Sequence, residues 1–312
     1  MRTRLAGVTV LAGSALVVLA GCSTAPASPA PGASGPGAGS RTIHVVAAEN
    51  FWGSIAAQLG GRQVTVANII DSPDADPHDY EPTAADGRAI AGADLVLING
   101  VGYDTWATQA VKANPAPNRT VLTVGDLVGV PAGGNPHRWY NPDDVQKVID
   151  EIVADYKKVD PADAAYFDQQ KTAFETTGLA GYRAVIADIR ARYAGTPVGA
   201  SESIFAMTAP ALGLDLLTPP SFLKAISEGT DPTAADKAAI DSQIKDKKIK
   251  VYVYNSQNAT PDIQAQIAAA RAHGIPVTTI TETLTPATAS WQEWQTAQLT
   301  ALRDALAKAT GQ

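Results

Sequence analysis

Apolar runs of strand length alternate with helix-length amphipathic stretches twice along this chain, once on each side of a block that reads almost wholly as helix. In the first series, strands are expected from Ile43 to Ala48, Val64 to Ile70, Leu95 to Asn99 and Thr120 to Val124. Helices are expected from Phe51 to Leu59, from Pro82 and Thr83 to about Ala91, and from Thr105 to Asn114. The second series has strands from Val198 to Ser201, Leu214 to Thr218, Val251 to Tyr254 and Val277 to Thr281. Its helices run from Ile204 to Leu212, over 233–247, from Pro261 to Ala272 and from Trp291 to Ala309. A strand that returns through a helix rejoins its sheet in parallel, so this order predicts an α/β fold. Two lobes are expected, each a mostly parallel sheet flanked by helices, joined by a single long helix. The helical block between the series, Pro142 to Tyr193, breaks at Asp160 and Pro161, which suit an N-cap and a first helical position. Beyond the break, apolar residues from Ala165 and Phe167 to Ile186 and Ile189 continue one long helix through Gly178 and Gly181.

The N-terminus has a different character. Arg2 and Arg4 precede an apolar run from Leu5 to Ala20 that ends in Leu19-Ala20-Gly21-Cys22. A basic start, a short apolar stretch and small residues before the cut describe a secretory signal, too short for the ~20 residues of a membrane span. Cys22 is the only cysteine in the chain, so it has no disulfide partner within a monomer, and its place fits a lipobox. Lipidation there would hold the protein at the outer face of a membrane. Residues 23–40 are nearly all Ala, Pro, Gly and Ser, a composition that suits a flexible tether. The expected organisation is thus a signal over 1–21, a tether over 22–40, a first lobe over 41–160, a linking helix over 161–195 and a second lobe over 196–312.

Formal charge is −7, and −9 once Arg2 and Arg4 are removed. With no basic stripe, nucleic acid is not an expected partner. Of the four histidines, His78 and His137 each follow a proline in a polar loop, in Asp76-Pro77-His78-Asp79 and Asn135-Pro136-His137-Arg138-Trp139. Proline fixes its own φ and biases its predecessor toward extended backbone, so each ring is presented from a defined turn. Two imidazoles so held suit a divalent metal, and His78 falls on a loop leaving the carboxyl end of a strand, where ligands of parallel sheets collect. His44 reads as a strand histidine, and His273 as a cationic side chain closing a helix end. Asp231 and Asp236 read as caps for the helix that follows, and Trp291 and Trp294 as core. Asn255-Ser256-Gln257-Asn258 reads as supporting polar or turn residues.

Taken in order, these pieces resemble the substrate-binding lipoproteins of manganese- and zinc-importing ABC transporters, whose lobes are bridged by one long helix. The resemblance covers nearly everything after the tether. It rests on Asp76-Pro77-His78-Asp79-Tyr80-Glu81-Pro82-Thr83, on Ala93-Asp94-Leu95-Val96-Leu97-Ile98-Asn99-Gly100 and on Asn135-Pro136-His137-Arg138-Trp139, supported by Ser201-Glu202 and Thr281-Glu282. It implies one metal held by His78 and His137 from the first lobe and by Glu202 and Glu282 from the second. At the last position the family usually has Asp, and Glu282 is one methylene longer. Two neutral imidazoles and two carboxylates balance a 2+ ion, and an oxygen-rich set leans toward Mn²⁺, although the Irving–Williams order favours Zn²⁺. The implied ligand is therefore Mn²⁺ first and Zn²⁺ next. The implied protein is a monomer, not an enzyme, with an ABC permease as partner and the membrane reached through the lipid.

A metal-dependent hydrolase needs an open water position and a general base, and no H-E-x-x-H or second metal cluster is present. A binder of an organic solute needs extra aromatic and Arg contacts, for which Arg138-Trp139-Tyr140 is the one cluster. Nothing in the chain specifies an adhesion partner.

Overall fold

A computed structural model of the chain describes residues 41–72 and 80–312. The expected signal, Cys22, the tether and His78 lie outside the described residues. Within them the alternation resolves into two four-stranded sheets, all of whose strand pairs are parallel.

The first sheet is built from β1 (Ile43–Glu49), β2 (Val64–Ile70), β3 (Leu95–Ile98) and β4 (Thr120–Thr123), in the order β2-β1-β3-β4. Helices α1 (Asn50–Gly60), α2 (Ala84–Gly92), α3 (Thr105–Ala113) and α4 (Val124–Val128) follow its strands. β1 and β3 are nearly continuous apolar runs because central strands are covered on both faces. Helix α2 begins one residue later than its sequence suggests. Thr83 is its N-cap and Asp86 completes a capping box.

The helical block contains α5 (Pro142–Val159), α6 (Ala164–Ala173) and α7 (Ala180–Tyr193). Asn141 caps α5 through Asp143 N and Asp144 N, and Asp160 accepts from Ala162 N to open the 3-10 turn Pro161–Asp163. The stretch expected as one long helix is α6 and α7, separated by a π turn over Phe174–Gly178 and the turn residue Leu179. The guanidinium of Arg183 donates to Glu175 O at 2.8 Å and to Gln146 Oε1 at 3.1 Å, so the turn is tied down to α5.

The second sheet contains β5 (Pro197–Ala200), β6 (Asp215–Leu216), β7 (Val251–Asn255) and β8 (Val277–Ile280), in the order β6-β5-β7-β8. Its helices are α8 (Phe205–Leu212), α9 (Pro220–Ser227), α10 (Ala234–Lys245), α11 (Pro261–Ala272) and α12 (Trp291–Thr310). The strand expected from Leu214 to Thr218 shrinks to two residues, since it lies at the sheet edge with only β5 to pair with. Asp231 does not cap α10. Thr233 does, accepting from Asp236 N, while Asp236 Oδ2 accepts in return from the Thr233 hydroxyl. His273 is the C-cap of α11, and His44 sits on β1 with its ring against Thr65 Oγ1 at 2.9 Å. Helices α4 and α9 are not among the expected elements, although α9 buries Phe222, Leu223 and Ile226 at helical spacing.

The largest of three apolar clusters runs through both lobes, from Phe51 and Trp139 past Tyr156, Tyr182 and Tyr193 to Trp291 and Trp294. Trp291 packs edge-on against Tyr182, with ring centroids 4.9 Å apart. In both sheets the strand order reverses direction between the first strand and its inner neighbour. β1 and β3 diverge to opposite sides, as do β5 and β7. Each sheet therefore has a crevice beyond the carboxyl ends of its central strands, where loops leave in opposite directions.

Candidate metal centre

The loops at these two crevices meet. From the first lobe comes the segment 135–140, held by Asn99 at the end of β3, whose Nδ2 donates to Pro136 O at 2.9 Å. Asn99 is itself fixed, because its Oδ1 accepts from Trp52 Nε1 at 3.1 Å. The result is a fully placed His137, 1 % exposed. Asn135 sets the state of that ring. Its Nδ2 donates to Ser203 O at 2.7 Å, so its Oδ1 faces back and accepts from His137 N at 3.1 Å. The ring Nδ1 lies 2.9 Å from the same oxygen and must therefore carry hydrogen, which puts the lone pair of a neutral ring on Nε2.

From the second lobe come Glu202, just past β5, and Glu282, just past β8. Glu202 is 1 % exposed, a burial that a carboxylate tolerates only with donors around it. Asn255 Nδ2 donates to Glu202 Oε2 at 2.6 Å, and Asn258 Nδ2 donates to Oε1 at 2.7 Å. The same Asn255 amide donates to Glu282 Oε1 at 3.2 Å, so one amide stands between the two acids. Gln257 holds the Glu282 backbone, accepting from Glu282 N at 2.6 Å and from Thr283 N at 3.1 Å. The stretch read as supporting polar residues thus contacts both carboxylates. Thr281, which precedes Glu282, is pinned as well, with Tyr140 Oη donating to its carbonyl at 2.7 Å and Trp294 Nε1 to its hydroxyl at 2.8 Å.

The two sides touch directly. Ser203 Oγ lies 3.3 Å from His137 Nδ1, and Tyr103 Oη of the first lobe donates to Glu282 Oε2 at 3.1 Å. The Tyr103 ring also stands edge-on to His137, with centroids 6.1 Å apart. The structure therefore brings three of the sequence-predicted site residues, His137, Glu202 and Glu282, onto one polar seam between the lobes. His78 and Cys22 are outside the described residues. Among the described residues no three His, Cys, Asp or Glu side chains are grouped closely enough to hold an ion by themselves.

Beneath the seam is a pair of acids that sequence reasoning missed. Glu49, at the end of β1, and Asp104, before α3, are both fully buried. Asp104 accepts from Asn99 N at 2.7 Å and Gly100 N at 2.8 Å, whereas no N–H or O–H among the described residues reaches either Glu49 oxygen. Burial, and then the Asp104 charge, push the Glu49 carboxyl well above its usual range. Burial also lifts Asp104, to about 6, against the opposing pull of the two backbone N–H groups. Tyr103 lies in the field of these acids. Burial first, then Glu282 and Glu49, push its hydroxyl far up, so it remains a protonated donor. The signal available in the sequence was an acid closing an otherwise apolar buried strand.

Two parallel-sheet lobes with their carboxyl-end loops converging on one polar seam define a two-lobed α/β fold. The chain belongs to the family described as "ZnuA: Zinc-uptake complex component A periplasmic", whose model matches residues 45–305. It is similar to the manganese-binding lipoprotein MntA of Halalkalibacterium halodurans, 25% identical over 136 residues, which are 42% of this chain and 45% of that one. It is also similar to the metal ABC transporter substrate-binding lipoprotein SsaB of Streptococcus sanguinis, 27% identical over 148 residues, 43% of this chain and 48% of that one. The chain spans about half the length of these curated relatives. Among solved structures, a cadmium-bound periplasmic metal-binding protein from Candidatus Liberibacter asiaticus shares the fold, with a TM-score of 0.71. It is 18% identical, over 85% of this chain and all of that one.

Proposed function

We propose that the chain captures a divalent transition metal between its lobes, Mn²⁺ first and Zn²⁺ next, and delivers it to an ABC permease rather than transforming a substrate. The ligands in this reading are His78, His137, Glu202 and Glu282. Residues 1–21 are a signal, Cys22 carries lipid, and residues 22–40 tether the lobes over 41–160 and 196–312, bridged by 161–195, near the permease. The protein acts as a monomer at the outer face of the membrane, where tethering raises its concentration at the transporter.

The observation that supports the reading is that His137, Glu202 and Glu282 all stand along the polar seam between the lobes. One amide, Asn255, bridges Glu202 and Glu282, and His137 reaches the same seam through Ser203. Carboxylates gathered in a buried place are stabilised by a cation, and a ring fixed at Nδ1 offers Nε2 to it. Family membership and the metal and ABC-transporter names of the relatives support the same conclusion.

Equilibrium dialysis with metal analysis, from about pH 5 to about pH 8, tests it. Imidazole must be neutral to coordinate, so affinity falls as pH drops through the ordinary histidine range near ~6.5. An affinity that does not change with pH would count against histidine coordination. His78→Ala and His137→Ala should each abolish tight binding of one ion per chain, and unchanged binding in both would place the site elsewhere.

A further inference from the structure

Glu282, from the second lobe, accepts at Oε2 from a donor of the opposite lobe, the Tyr103 phenol, at 3.1 Å. Resting on the metal-capture reading above, we propose that Tyr103 determines how Glu282 meets the ion, its phenol occupying Oε2 so that the carboxylate binds through Oε1 alone.

Tyr103 is placed as rigidly as a core residue. It is 1 % exposed, and its ring lies 5.1 Å from that of Trp139 and 6.4 Å from that of Phe51. Its backbone N donates to Gly100 O at 3.0 Å, and neighbouring Asp104 ties down the turn through Asn99 N and Gly100 N. Its hydroxyl donates to Glu282 Oε2, so it meets the carboxylate as a hydrogen-bond donor and not as a ligand of its own. The two Glu282 oxygens are held differently. Oε2 takes the phenol O–H, while Oε1 takes the longer of two bonds from Asn255, whose shorter one goes to Glu202. The phenol is held on Oε2 by core packing, whereas the Asn255 amide is shared with Glu202 and can keep that shorter bond when a cation takes Oε1. Binding through one oxygen lowers the coordination number, and Zn²⁺ accepts four ligands where Mn²⁺ favours six. Tyr103 thus disfavours Mn²⁺ relative to Zn²⁺, and it acts on the ion through Glu282 as a positioning residue.

The test uses the full chain stripped of metal, as wild type, Tyr103→Phe, Glu282→Asp and the double variant. Cobalt(II) is the spectroscopic probe, and Mn²⁺ and Zn²⁺ are titrated in competition. Tyr103→Phe should still bind one ion, with weaker visible cobalt absorption because the coordination number rises. Its relative affinity should move toward Mn²⁺ by about tenfold, the lower end of what loss of a ligand's hydrogen-bond partner produces. In the Glu282→Asp background, where the acid is too short for the phenol, the tyrosine change should have no further effect. An unchanged spectrum and metal ratio in Tyr103→Phe overturns the proposal, as does an equal loss of both metals or a shift that persists undiminished in Glu282→Asp. Should Tyr103→Phe not fold, Glu282→Asp alone decides, because it breaks the same contact and an unaltered cobalt spectrum refutes the role. If no variant and no wild type binds any ion, the capture reading fails and this one with it, whereas binding without the shift overturns this one alone.

Discussion

At the scale of single residues, the seam is governed by side chains that never need to touch an ion. Asn255 places one amide between two acids that would otherwise repel each other. Asn255→Ala is expected to weaken metal affinity by about 10- to 100-fold, measured by competition against a chelating dye, while His137 stays in place. The buried Glu49–Asp104 pair makes a different prediction. A carboxyl whose folded pKa is raised contributes stability that is complete below its unfolded value and is lost as pH rises through the folded value. For Asp104 that window runs from 3.8 to about 6, about two units, or ~3 kcal/mol. The melting temperature of metal-free protein should therefore fall as pH rises across this window. Glu49→Gln removes a second carboxyl that burial raises, so that residue's share of the decline should vanish and the variant should melt higher than wild type above about pH 6. Parallel pH profiles from scanning calorimetry would argue against a raised Glu49 carboxyl.

At the scale of elements, the strands and most helices were legible because hydrophobic periodicity reports burial directly. β1, β2 and α11 lie within a residue of where the apolar pattern puts them. The exceptions have local causes. Thr233 displaces Asp231 as the cap of α10 because the cap must lie three residues before a donor it reaches, and Asp236 N meets that condition. The π turn in the linking block is invisible in composition, since it depends on Arg183 and Gln146 meeting across two helices. Removing that tie with Arg183→Ala should cost about 1 kcal/mol, as for a single exposed hydrogen-bond partner. Hydrogen exchange should quicken around Phe174–Leu179, and an increase confined to other elements would mean that the turn holds itself.

At the scale of the whole molecule, the lobes are joined by more than the long helix. Gln58 and Gln292 exchange two amide hydrogen bonds, at 3.0 and 2.6 Å, and Trp291 N donates to Ser54 Oγ at 2.9 Å. Tyr140 and Asn135 add the bonds to Thr281 O and Ser203 O across the seam. Opening the cleft widely would break all of these and separate a shared apolar core, so capture and release should involve small shifts. Small-angle scattering of chelated and Zn²⁺-loaded protein should give superimposable profiles. A clear contraction on loading would show a hinge that these contacts do not describe.

The sequence by itself determined the α/β class, the two series of parallel strands and a proline turn that presents His137, because alternation and proline turns act through neighbours along the chain, whereas Glu202 and Glu282 are singled out only by the family resemblance. Only the tertiary structure decided which residues surround them. Tyr103 and Glu282 are 179 positions apart, and Asn255 meets Glu202 across 53. The first contact exists only once two separately wound sheets bring their carboxyl ends together, the second only once β5 and β7 pair within one sheet, and no local pattern encodes either approach.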